Sequence, residues 1–195
     1  MQPKMIVIAG APGSGKSAIF PGSGFGIASF NADDRAAALN AGSFHNIPAT
    51  LRQQVNREFQ DFVLEAIRTS TSFAIETTLR STITFDQARL AKAAGFSVEM
   101  RYMILRDFAL HLERVKARAD SGGHSASEET LRGIYEASIA NFPRALGEMD
   151  SLSVFDNSQF HGPPTLVLEA RDGVISTLAT ELPDWLAAAV KSTTG

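Results

Sequence analysis

Lys16 and Ser17 close the segment GAPGSGKS, a Gly10–Ser17 stretch of the form G-x-x-x-x-G-K-S. A glycine turn that opens a helix directs backbone N–H groups at phosphate oxygens, and the helix dipole favours the same charge. The lysine reaches the β- and γ-phosphates and the serine hydroxyl ligates Mg²⁺. Gly10, Gly13, Ser14, Gly15, Lys16, Ser17 and Ala18 are therefore the candidate nucleotide-binding residues, with Ser17 the candidate metal ligand. The alternative is a glycine turn with an exposed lysine. A chance match in a chain of this length is on the order of one in a hundred, and the apolar run Lys4–Ala9 before the loop lowers it further. The loop leaves open whether a terminal phosphate goes to water, to a nucleotide or to another molecule. No N-K-x-D base-reading motif is present, which moves weight from GTPases to small kinases and ATPases.

Acids further along bear on that choice. In SFNADDRAA, Asp33 and Asp34 follow a short candidate strand, where an open α/β sheet places its ligands. A carboxylate there can accept the proton of an attacking hydroxyl. Equally, Asn31 or Asp33 can simply cap the alanine-rich helix that follows. In FAIETTLRS, Glu76, Thr77, Thr78 and Arg80 follow another apolar strand. Glu76 suits a substrate clamp or Mg²⁺ support, or a plain ion pair with Arg80. Arg114 and Arg118 lie one turn apart and can face the same way, and the residues alone, beside Glu113 and Lys116, favour a solvated helix face.

These residues need a scaffold, and the hydrophobic pattern supplies one. Strands are predicted at Lys4–Ala9, Ile27–Asn31, Ser72–Thr77, Phe96–Leu105, Ser153–Phe155, Thr165–Ala170 and Val174–Ile175, the last two joined by an Asp172-Gly173 hairpin. A helix opening near Gly15 is stopped early by Pro21, Gly22, Gly24 and Gly26. Further helices are predicted at Asp33–Asn40, from Pro48 to about Ser70, from a Ser81 cap to before Gly95, from Asp107 with Leu112 and Val115 inward, from a Ser125/Glu128 capping box to about Leu146, and at Trp185–Val190. Strand and helix alternate, so the expected fold class is α/β, a three-layer P-loop NTPase/kinase fold with a mostly parallel central sheet and helices on both faces. Residues 1–195 read as a single domain, with a C-terminal hairpin and helix from about 164. At 195 residues, 44% hydrophobic and 20% charged, the composition is that of a soluble globular domain. A net charge of −3 argues against a generic nucleic-acid binder. The absence of cysteine excludes disulfides and thiolate metal sites. No segment has the apolar length of a membrane span, so a cytoplasmic protein without a membrane partner is expected.

Taken in order, GAPGSGKS, FNADD, AIETTLRS, GFSVEMRYMIL, LERVKARADSGGH and VFDNS resemble the zeta toxin family of P-loop kinases, over residues 5 to about 158. The resemblance implies ATP (or GTP) and Mg²⁺ as cofactors, and transfer of the γ-phosphate to a hydroxyl of a small acceptor such as a UDP-amino sugar. It implies Lys16 and Ser17 on nucleotide and metal, Asp33 as general base, Glu76, Thr78 and Arg80 at the acceptor, and Arg114, with Arg118 beside it, on the transferring phosphate. His124, in the G-G-H loop, falls near a second phosphate-binding arginine of the family, which has no clear match here. It also implies a separate antitoxin chain as a partner. Where the family often has V-P-E, this chain has Ala126-Ser127-Glu128, and LRGIYEAS keeps only Arg132 before Tyr135, so positive charge is thinner. The rival readings are a kinase for a different metabolite, and a nucleotide-binding regulatory module with weak ATPase activity at most.

Overall fold

The structure, a computed structural model, describes residues 2–120, 126–159 and 161–194. Strands β1 (Lys4–Ala9), β2 (Ala28–Phe30), β3 (Phe73–Thr77), β4 (Ser97–Ile104), β5 (Ser151–Asp156), β6 (Thr165–Arg171) and β7 (Val174–Thr177) form one seven-stranded sheet in the order β2-β3-β1-β4-β5-β6-β7. The first five strands of that order are parallel, and β6 and β7 are added antiparallel. The helices are α1 (Lys16–Ile19), α2 (Ala32–Leu39), α3 (Ala49–Arg68), α4 (Ile83–Ala93), α5 (Phe108–Asp120), α6 (Glu128–Glu148) and α7 (Asp184–Thr194). This is the expected α/β P-loop architecture. Among the described residues no helix is long and apolar enough to cross a membrane.

The central strands are apolar on both faces, as parallel strands covered from two sides must be. On one face Met5, Val7, Phe73, Ile75, Val98, Met100, Leu152 and Val154 join Val63 of α3, Phe85 of α4, Phe142 of α6 and Leu186 of α7 in the main core. The other face is dressed more lightly. Ile6, Ile8 and Ala74 are buried there, but Glu99, Arg101, Ser151 and Ser153 are only half-buried. Its local cover is the four-residue α1 and the 3-10 turn Gly22–Phe25. The Arg101 guanidinium lies 4.9 Å from the Phe20 ring and 4.7 Å from the Phe25 ring, and pins this segment to the sheet. Coverage by helices is thus unequal, because proline and glycine end α1 before it can pack along the sheet.

Local chemistry explains most element ends. Asp107 Oδ1 accepts from the Leu110 N–H at 2.9 Å and opens α5. Asp172 and Gly173 both take positive φ, 49° and 79°, the backbone a two-residue hairpin needs. Three expectations are corrected. The residue before α4 is Thr82, without a side-chain cap, and not Ser81, because the helix begins one residue later. The cap of α6 is Ser127, whose Oγ accepts from Thr130 N–H at 3.2 Å. Ser125 lies outside the described residues. On α5, Leu112 is half-buried, and Leu110, His111 and Val115 are the residues turned inward.

Phe142 is fully buried, with its ring edge-on to Tyr102 at 4.9 Å and to Trp185 at 5.4 Å. Phe142→Ala should lower unfolding stability by about 3–5 kcal/mol, read by chemical denaturation. A cost below about 1 kcal/mol would mean that α6 is not anchored there.

Candidate functional site

Strand register brings the candidate residues to one level. Ile8 pairs with Glu76, and Phe30 with Ile75, so Asn31 emerges beside Glu76 at the carboxyl ends of the strands. The phosphate loop leaves β1 at the same edge. Its glycines are there because the backbone passes too close to its neighbours for side chains. A Cβ on Gly10 would lie 2.4 Å from the Met103 carbonyl oxygen, one on Gly13 2.7 Å from that of His111, and one on Gly15 2.4 Å from Asn157 Nδ2. Gly13 and Gly15 also take φ of 81° and 86°, which other residues adopt only under strain. Two side chains hold the loop: Asn157 Nδ2 donates to the Ser14 carbonyl at 2.9 Å, and the His111 ring meets the Pro12 carbonyl through Nδ1 at 2.8 Å. Ser14 Oγ is buried with no partner among the described residues, an open valence in the part of the loop where phosphate is expected.

Glu76 is the junction of the site. Its Oε1 accepts from Ser17 Oγ at 2.8 Å and lies 3.4 Å from Lys16 Nζ. Its Oε2 accepts from Asn31 Nδ2 at 3.0 Å. The described ion pairs join Glu76 to Lys16, on the phosphate loop, and not to Arg80. A hydroxyl and a carboxylate this close, beside a phosphate loop, suit Mg²⁺, which takes one or two protein oxygens and keeps water and phosphate for the rest.

Asn31 is the cap of α2: its Oδ1 accepts from the N–H groups of Asp33 at 2.9 Å and Asp34 at 3.3 Å. Of the two capping choices open in the sequence, Asn31 takes the role and Asp33 does not. Both aspartates stand exposed in the first turn of α2. The Asp34 carboxyl is raised above its ordinary value by partial burial and by the charges of Glu76 and Asp33, while Arg118 opposes the rise. Arg118, on α5, is near enough to Asp34 for its charge to act there. Arg114, one turn earlier, reaches the loop after β5, with Nη2 3.3 Å from the Gln159 carbonyl. Thr78 is half-buried and Arg80 exposed, on either side of a fully buried Leu79 with φ of 56°. The Leu79 N–H donates to Thr77 Oγ1 at 3.0 Å and its carbonyl accepts from Asn141 Nδ2 at 2.9 Å. Both polar groups of this strained residue are thus held by side chains. His124 lies outside the described residues.

Sequence reasoning did not identify His111, Asn157 or Asn141. The one available signal was a histidine in the apolar stripe of α5. Burial lowers the His111 pKa to about 4, helped by the Lys16 and Arg114 charges and opposed by the bond to Pro12. The ring is therefore neutral at pH 7, and its Nδ1–H donates to the Pro12 carbonyl. Because the folded value lies below the ordinary 6.5, the unfolded chain binds a proton that the folded chain refuses. This contribution to stability is present above pH 6.5 and is lost as the pH falls toward about 4. His111→Gln should remove about 2 kcal/mol of the stability lost between about pH 7 and pH 5, measured as unfolding free energy at both values. An unchanged pH dependence would show that His111 is not the titrating group.

No protein-family model matches the chain. An uncharacterized protein of Haemophilus influenzae is 30% identical over 142 residues, which cover 69% of this chain and 94% of that protein. Among solved structures, the matched chain of AvrRxo1-ORF1:AvrRxo1-ORF2 with sulphate ions superposes with a TM-score of 0.71 at 16% identity, covering 100% of this chain and 65% of that one. The same complex with ATP gives a TM-score of 0.70 at 16% identity, with coverage of 98% and 64%. The chain thus spans slightly less than two thirds of that neighbour. A chain of the PezAT chromosomal toxin-antitoxin system of Streptococcus pneumoniae gives a TM-score of 0.66 at 14% identity, with coverage of 99% and 85%. The chain belongs to one family with the Haemophilus influenzae protein, and it has the P-loop kinase fold of the zeta-toxin type.

Proposed function

We propose that the protein is an ATP- and Mg²⁺-dependent phosphotransferase that moves the γ-phosphate to a hydroxyl of a small acceptor. The observation that carries this reading is the meeting of Ser17 and Lys16 with the strand-end acid Glu76, at 2.8 and 3.4 Å, beside an α2 whose cap is Asn31 and not an aspartate. A loop that only bound nucleotide would not need acids converging from two further strand ends. Lys16 holds the phosphates, and Ser17 with Glu76 behind it holds the metal, which neutralises charge on the phosphate oxygens. Asp33 takes the proton of the acceptor hydroxyl as its oxygen bonds to the γ-phosphorus and the bond to the bridging β–γ oxygen breaks. Arg114 and Arg118 offset charge on the transferring group from the α5 side. Thr78 and Arg80 line the acceptor position.

A UDP-amino sugar is the acceptor suggested by the resemblance of the sequence motifs to zeta toxins, and GTP is an alternative donor to be tested beside ATP. The PezAT system is a toxin-antitoxin pair, and a separate antitoxin chain is the corresponding partner for this protein. The activity is tested by incubating the protein with labelled ATP, Mg²⁺ and either UDP-amino sugars or a metabolite extract.

Lys16→Ala should abolish transfer and weaken binding of a non-hydrolysable ATP analogue, with the fold retained. Full activity in that variant would remove the nucleotide site from this loop.

Asp33→Asn should keep melting temperature and analogue affinity but lower transfer by about 10²-fold or more. Asp34→Asn is its partner experiment. Loss of transfer with Asp34→Asn alone would make Asp34 the base. Full transfer in both variants would exclude acid–base chemistry at α2, and the zeta-type mechanism with it.

A further inference from the structure

We infer that Asn31 is the positioning residue that ties the metal side of the site to its acid side, an inference that rests on the nucleotide reading above. Its amide is used at both ends. Oδ1 accepts from Asp33 and Asp34 N–H at 2.9 and 3.3 Å, and Nδ2 donates to Glu76 Oε2 at 3.0 Å. The other oxygen of the same carboxylate receives Ser17 Oγ at 2.8 Å and faces Lys16 at 3.4 Å. One unbroken chain of polar contacts therefore runs from the phosphate loop through Glu76 and Asn31 to the first turn of α2.

The residue type carries the inference. A helix cap alone is served about equally well by Ser, Asp or Asn. Of these, only the amide carries its acceptor and its donors on separate atoms, so that one serves the helix while the other points away from it. Asp at this place would set a second carboxylate against Glu76. Ser and Thr would keep the cap but not reach Glu76. Asn31 is half-buried, so water competes weakly for the Nδ2–Oε2 bond, and hydrogen bonds to charged groups are the stronger class. With Oε2 held, Glu76 keeps Oε1 aimed at Ser17. Without that bond the carboxylate is free to rotate away from the metal position. The register that sets Asn31 next to Glu76 fixes the separation of the two halves, so the metal-side carboxylate and the α2 acids hold or lose their geometry together.

The test uses the intact protein, a non-hydrolysable ATP analogue, and titration calorimetry with and without Mg²⁺. The readout is the gain in affinity that Mg²⁺ confers, with melting temperature as a control for the cap. Asn31→Ser should melt close to wild type and bind the metal-free analogue as wild type does. Its Mg²⁺-dependent gain should fall about tenfold, the scale of a lost bond to a charged group. Glu76→Gln should lose a similar factor. The double variant Asn31→Ser/Glu76→Gln should be no worse than Glu76→Gln alone, because Asn31 acts through Glu76. Asn31→Thr, a second cap-preserving variant, repeats the test if Asn31→Ser folds poorly. An undiminished Mg²⁺ gain in both cap-preserving variants overturns the inference, and so does a loss that adds to that of Glu76→Gln. A wild-type protein that binds the analogue under neither condition overturns the nucleotide reading itself.

Discussion

The turn between β1 and α1 is possible only because Gly10, Gly13 and Gly15 lack a Cβ. Gly10 and Gly13 face backbone carbonyls of β4 and α5 at distances that no Cβ could occupy, and Gly15, at a φ of 86°, faces the Asn157 side chain of the loop after β5. This close approach makes the phosphate loop the place where three elements meet. It also explains why His111 and Asn157, far from the loop in sequence, hold its carbonyl groups. With the loop backbone braced from behind, its N–H groups are organised before any ligand arrives. Fixed dipoles of that kind stabilise phosphate without reorganisation when the chemistry occurs.

The charges around the loop are arranged by side of the cleft. Glu76, Asp33 and Asp34 come from the ends of β3 and β2, while Arg114 and Arg118 come from α5. Lys16 sits between them, paired with Glu76 at 3.4 Å and, like it, largely shielded from water. Burial, and after it the charges of Glu76 and Asp33, raise the Asp34 carboxyl, and the Arg118 charge opposes the rise. A triphosphate entering this space would compete with Glu76 for Lys16, and a divalent cation would relieve the resulting repulsion. The same crowding that would be a defect in a purely structural cluster suits a site built to receive a metal and phosphate together.

The segment from Thr78 to Arg80 follows another logic. Leu79 is a buried residue held at positive φ, and both its backbone groups are bonded to side chains, one local and one from α6. Strain of this kind persists only where the surroundings over-determine it. It sets the direction of the chain between Thr78 and Arg80, and so links the shape of this segment to the packing of α6. The lightly covered part of the opposite sheet face needs no such device. There Arg101, between Phe20 and Phe25, supplies the packing that a longer α1 would otherwise provide.

Some of this was legible in the sequence, for a physical reason. The phosphate loop, the early end of α1, the Asp172-Gly173 hairpin and the order of strands and helices depend on residues close in the chain: glycines at positive φ, prolines without an N–H, apolar periods of two or 3.6. The α/β class follows from their alternation. Exact caps were less legible, because Ser81 or Thr82, and Ser125 or Ser127, differ by one or two residues, which local chemistry scarcely distinguishes. The partners of the charged residues were not legible at all. Glu76 had Arg80 as a neighbour in sequence, yet it bonds to Ser17 and Asn31, 59 and 45 residues away. His111, which the sequence did not single out, is a buried brace for the loop. Those pairings are decided by strand register and helix packing, which sum weak contacts over the whole chain. Residue types and local spacing determined which groups were available for chemistry, and tertiary structure decided which of them meet.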